Sequence, residues 1–114
     1  MMEGGQADRL VEPFRSAEEA WFWTMGALQA RREGASRSSG VKIARPCEPD
    51  DVVRCLDRLY RTRRIELAHA RVLRNWGERQ MPPAQRNGAG MECALWREAM
   101  ERLDPALRAK GIIH

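Results

Sequence analysis

The stretch Pro49–Arg79, PDDVVRCLDRLYRTRRIELAHARVLRNWGER, decides the fold. It opens with a proline followed by Asp50 and Asp51. That order suits a helix start, because the first-turn amide hydrogens have no partner within the helix and carboxylates complement the positive end of its dipole. Val52, Val53, Leu56, Leu59 and Tyr60 then recur at helical spacing, with Cys55 beside the stripe. Beyond Arg63, Leu67, Ala70, Leu73 and Trp76 repeat every three residues, with Val72 alongside. The apolar stripe changes phase between Thr62 and Glu66, and no Gly or Pro intervenes. The pattern predicts two amphipathic helices joined by a tight corner at 62–66. Gly77 loosens the end of the second helix, and Pro82-Pro83 stops it.

Working outward, Ser16-Ala17-Glu18-Glu19 is a capping box, with a serine hydroxyl placed to receive an amide three residues on. It predicts a helix from there to about Arg32, with Gly34 as its stop. Trp21, Met25 and Leu28 form its stripe, Ala20 and Phe22 flank it, and Trp23 falls outside. Downstream, Leu95, Trp96, Ala99, Met100 and Leu103 predict a helix over Met91–Leu103. Asp104-Pro105 is read as a break and cap before a short last helix, Pro105–Lys110. Gly111 ends it, and Ile112-Ile113 is an apolar tail expected to fold back onto the body. The expected architecture is all-α, a small irregular bundle of four or five helices. It has a flexible N-terminus at 1–13 and a single domain over 14–114 with a mobile basic loop at 34–46. The expected core is Trp21, Met25, Leu28, Val53, Leu56, Leu59, Leu73, Trp76, Leu95, Trp96, Met100 and Leu103.

A chain of 114 residues fits one domain. Its 43% hydrophobic and 32% charged residues are a globular balance. The net charge is +4, and residues 52–79 hold eight arginines against three acids. No run approaches the about 18 apolar residues that a membrane span needs. Met1–Val11 is polar, without the apolar centre of a secretory leader. With an odd count of three cysteines, the expectation is a reducing, cytoplasmic setting with free thiols.

Catalytic signatures do not emerge. Cys47, Cys55 and Cys93, with His69 and His114, form neither a C-x-x-C nor an H-x(3–5)-H pair, so no metal is expected. His69 stands between two alanines on a helix, with no motif around it. The chain lacks a P-loop, G-x-G-x-x-G and H-E-x-x-H. Neither enzyme activity nor a cofactor is expected.

Arginine is the constellation with functional content. Arg54, Arg58 and Arg61 share one face of the first helix, Arg63 and Arg64 follow at the corner, and Arg71 and Arg74 lie on the next helix. Such an array can track phosphates, which dominate nucleic-acid affinity. Arg31, Arg32, Arg37, Lys42 and Arg45 would form an arm assisting it. An ordinary solvated surface rich in arginine accounts for the same pattern.

Two amphipathic helices with a compact join over Val53–Trp76 resemble the core of a helix-turn-helix. The run Leu95-Trp96-Arg97-Glu98-Ala99-Met100-Glu101-Arg102-Leu103, with Leu107 and Gly111-Ile112-Ile113, is similar to the end of sigma-factor-like DNA-binding domains. That resemblance implies a recognition helix in the major groove of duplex DNA. No Gly marks the join, and Pro82–Gly90 exceeds the three or four residues of the motif's turn. The overall string, from Phe14–Trp23 through to Trp76–Pro83, also resembles small uncharacterised bacterial proteins; that resemblance covers most of the chain and implies no activity. The expected function is therefore non-enzymatic DNA binding or transcriptional regulation, with Arg54, Arg58, Arg61, Arg64, Arg71, Arg74, Arg37, Lys42 and Arg45 on phosphate. The alternative is a protein-interaction adaptor or homodimer using Trp21, Trp23, Ile112 and Ile113.

Overall fold

A computed structural model describes residues 11–34, 45–83 and 90–114. They form four helices: α1 (Ala17–Arg32), α2 (Pro49–Arg61), α3 (Leu67–Arg79) and α4 (Gly90–Ala109). Among the described residues there is no strand, only one parallel bridge between Phe14 and Ile113. The chain is all-α. Helices α1 and α4 touch each other, and α2 and α3 each pack on both, yet α2 and α3 scarcely meet beyond their corner.

The helix starts follow the sequence signals. Ser16 Oγ accepts the Glu19 amide at 3.1 Å, and Glu19 Oε1 accepts the Arg15 amide at 2.7 Å. Before α2, Asp51 Oδ2 accepts the Glu48 amide at 2.8 Å, and Pro49 occupies the first turn. Before α3 the same place is taken by His69, whose Nδ1 accepts the Glu66 amide at 2.9 Å. An imidazole nitrogen that accepts a hydrogen carries none itself, so the ring proton sits on Nε2. Nε2 donates it to Glu98 Oε1 on α4, 2.9 Å away.

The expected break at Asp104-Pro105 is absent, and α4 runs through it to Ala109. Trp96, Ala99, Leu103 and Leu107 are buried in one unbroken stripe on both sides of the proline, while Pro105 faces solvent. An interior proline costs roughly 3 kcal/mol. Burying Leu103 and Leu107 returns roughly 1.5–3 kcal/mol each, so burial wins.

Half of the expected core is buried: Trp21, Met25, Leu59, Leu73, Trp96 and Leu103. Leu28, Val53, Leu56, Trp76, Leu95 and Met100 are only half-buried. On α2 the buried row is Val52, Cys55 and Leu59, one step around the helix from the Val53–Leu56–Tyr60 row. Tyr60 is left 46% exposed. The core also takes in Phe14, Ile65, Val72 and the tail residues Ile112 and Ile113. Phe14 and the tail hold each other by backbone: the Phe14 amide donates to Ile112 O at 3.0 Å, and the His114 amide to Phe14 O at 2.9 Å.

Helices α1 and α3 meet tightly at Gly77. A Cβ there would lie 2.7 Å from Met25 Cγ and 2.8 Å from Trp21 Nε1. The indole cannot swing aside, because Nε1 donates to Leu73 O at 2.9 Å in the interior. The variant Gly77→Ala sets a helix-propensity gain of about 1 kcal/mol against overpacking of about 1–3 kcal/mol. We expect a net loss, read as a lower urea midpoint with unchanged m-value; a midpoint at or above wild type would show that the contact is slack.

Candidate nucleic-acid interface

The arginines expected to form one array divide into three places. On α2, Arg54 pairs with Asp51 at 2.8 Å and Arg61 with Asp57 at 2.7 Å. Both are exposed pairs one turn apart, so carboxylates of their own helix already occupy them. Arg58 has no carboxylate partner among the described residues. It lines a groove between α2 and the end of α4, together with Arg54, Arg61 and Lys110.

The corner is the second place. Thr62 closes α2 by donating its hydroxyl to Arg58 O at 2.8 Å. Arg63 then adopts φ 64, the left-handed region that disfavours side chains with a Cβ. Its amide donates to Tyr60 O at 3.0 Å, and the Arg64 amide to Leu59 O at 2.8 Å. These two bonds make a Schellman cap with arginine where glycine is usual. Ile65 drops into the core directly afterwards, which anchors the corner and leaves Arg63 and Arg64 on its outside. Arg102 of α4 joins them, its Nε donating to Arg64 O at 3.2 Å.

The third place is the outer face of α3, with Leu67, Arg71, Arg74 and Glu78 opposite the buried His69–Leu73 side. Arg74 Nε lies 3.4 Å from Glu78 Oε2, and Arg71 has no carboxylate partner among the described residues. Helices α2 and α3 each pack on α1 and α4 and scarcely on each other. The two helices are joined by five residues, 62–66, and lack the mutual packing that a helix-turn-helix resemblance implies.

Arg37 and Lys42 lie outside the described residues, as does most of the expected loop at 34–46 and, at the N-terminus, 1–10. Arg45 is engaged inward: its guanidinium sits 4.4 Å over the Phe14 ring, and Nη1 donates to Glu12 O at 3.1 Å. The residues of the adaptor alternative are mostly interior. Trp21, Ile112 and Ile113 are buried, and Trp23 is half-buried with its ring 5.1 Å from that of Phe14. A buried ring offers a partner no surface.

Arg102 is a neighbour of the corner that no sequence pattern marks. It lies far along the chain from Arg64 and shares no local spacing with it, so no pattern could have flagged it. His69 spends both ring nitrogens on Glu66 and Glu98, which leaves none for proton transfer to a substrate. Among the described residues no group of three His, Cys, Asp or Glu could hold a metal ion, and no helix is long and apolar enough to cross a membrane. Compared with known proteins, the chain matches no family model, no curated protein and no solved structure.

Two expectations follow from this geometry. Replacing Arg63 by glycine removes a left-handed strain of roughly 1–2 kcal/mol. Against glycine's greater freedom when unfolded, a net gain of up to about 1 kcal/mol in chemical denaturation is expected; a loss would mean that the Arg63 side chain holds the corner together. The hydrogen bond from His69 holds the Glu98 carboxyl below its ordinary 4.5, helped by the charges of Arg102 and Arg97. A lowered carboxylate stabilises the fold fully above that value, and the contribution fades as pH falls through the folded value. Wild type should therefore lose more stability than Glu98→Gln on acidification below 4.5; parallel pH profiles would contradict this.

Proposed function

We propose that this chain is a non-enzymatic DNA-binding protein that grips the phosphate backbone through the α2–α3 corner. The observation that carries this reading is the concentration of positive charge there. Arg58, Arg61, Arg63 and Arg64 fall within residues 57–66 against Asp57 and Glu66 alone. Of the four, Arg61 is the one in an ion pair among the described residues, and Arg102 adds a further cation through its bond to the Arg64 carbonyl. Guanidinium forks suit phosphate, whose oxygens accept two parallel hydrogen bonds. A corner wedged by buried Ile65 presents them from a rigid support. Arg71 extends the contact onto α3. Arg54 and Arg74 contribute less, because releasing each from its carboxylate offsets part of the gain on phosphate.

A helix C-terminus attracts arginine for its own sake, through the negative end of the helix dipole. That preference accounts for Arg58 and Arg61 in the last turn. It does not account for Arg63, which stands beyond the helix in a conformation that a β-carbon disfavours.

The test is binding to a labelled random DNA duplex across a salt series. The double variant Arg63→Ala/Arg64→Ala should weaken binding to all sequences and shallow the logarithmic salt slope by about 2, about 1 for each phosphate left without its guanidinium. The double variant Arg54→Ala/Arg74→Ala should change the slope by less than about 1. Absence of wild-type binding at ~50 mM salt, where phosphate contacts are at their strongest, would overturn the proposal, and equal losses in the two variants would move the interface off the corner.

A further inference from the structure

The groove between α2 and the end of α4 adds to Arg58 and Arg61 an apolar floor and Lys110, which the DNA reading does not use. Its volume is about 520 Å³, within the range of small-molecule sites. Leu59, Cys55 and Ile112 are buried residues that supply its floor. Arg54 and Arg61 on its wall are paired with Asp51 and Asp57. That leaves Arg58 and Lys110, from two different helix ends, without a carboxylate partner among the described residues.

Both cations line the same groove. Burial pushes the Cys55 thiol up, and the opposing pull comes from Lys110 and Arg58 together. Cys47, which also lines the groove, is pushed up to about 11 by burial and by Asp51. A thiol that ionises so late is neutral at physiological pH, so the cysteines offer no negative charge to satisfy the pair.

We propose that this groove binds a small organic acid, with the apolar body on the Leu59–Cys55–Ile112 floor and the carboxylate between Arg58 and Lys110. The site shares Arg58 with the arginines of the corner, but its apolar floor and Lys110 lie outside them, and it stands whether or not the protein binds DNA. An apolar floor in one groove with two cations that lack a carboxylate partner among the described residues matches a ligand that is apolar at one end and anionic at the other. Inorganic phosphate would lack the body, and a neutral chain would lack the charge.

The experiment is calorimetric titration of the full chain with octanoate, octanamide and inorganic phosphate. Octanoate should saturate with a Kd of about 1 mM or tighter, and the other two should bind at least about tenfold more weakly, the equivalent of one charged hydrogen bond or more. Arg58→Ala and Lys110→Ala, each checked for unchanged thermal unfolding, should each lower octanoate affinity severalfold, while Arg71→Ala on the far side leaves it unaltered. Octanamide binding as well as octanoate would overturn the anion site. Phosphate binding as well as octanoate would overturn the apolar floor, and the absence of saturable octanoate binding would overturn both.

Discussion

The contact on which the rest of the molecule depends is the Trp21 indole against Gly77, with its N–H held by the Leu73 carbonyl. An interior N–H without an acceptor costs roughly 1–3 kcal/mol, so this bond fixes where the ring lies as well as how deeply it is buried. The missing side chain at Gly77 lets α1 approach α3 to the distance at which that bond forms. The end of α3 is then tied to α1 a second time. Gln80, left-handed at φ 58, donates through Nε2 to Phe22 O at 3.0 Å and Gly77 O at 2.9 Å. A non-glycine residue is kept in that conformation because its side chain bridges two helices. Nothing comparable restrains Arg63 among the described residues, and for this reason the corner stands out.

Tryptophan repeats the device elsewhere. Trp96 Nε1 donates to Glu18 at 2.8 Å across α4 and α1, and Trp76 Nε1 donates to Glu92 at 3.1 Å across α3 and α4. Each indole buries a large apolar area while its one polar atom names a partner on another helix. A small bundle with few aromatic residues obtains its specificity of packing in this way, since apolar faces alone slide past one another with little penalty.

The features legible in the sequence are those with local causes. Ser16 with Glu19, Pro49 with Asp51, and the phase shift at 62–66 placed three helix starts and the corner, because caps and turns act over a few residues. Four things were not legible. Proline at 105 reads as a stop until Leu103 and Leu107 are known to share one buried stripe. On α2 the Val52 and Val53 rows satisfy the helical period alike, and only the packing on α1 and α4 chooses between them. The division of the arginines into paired and unpaired sets depends on three-dimensional distances, so Arg54, Arg58 and Arg61 read as equivalent although two of them are already neutralised. Arg102 and Lys110, supplied by distant parts of the chain, carried no local signal at all.

The backbone bridge between Phe14 and the Ile112–His114 tail bears on how the molecule comes into being. Synthesis is vectorial, so Phe14 leaves the ribosome long before the residues that cover it. Until Ile112 and Ile113 emerge, its ring lacks one wall of its compartment and its backbone groups lack their final partners. The nascent chain can form α1, α2 and the corner early, from contacts close in sequence. Closure of the core must wait for the isoleucine pair, and a chain cut after Gly111 would have every helix present and its aromatic interior open.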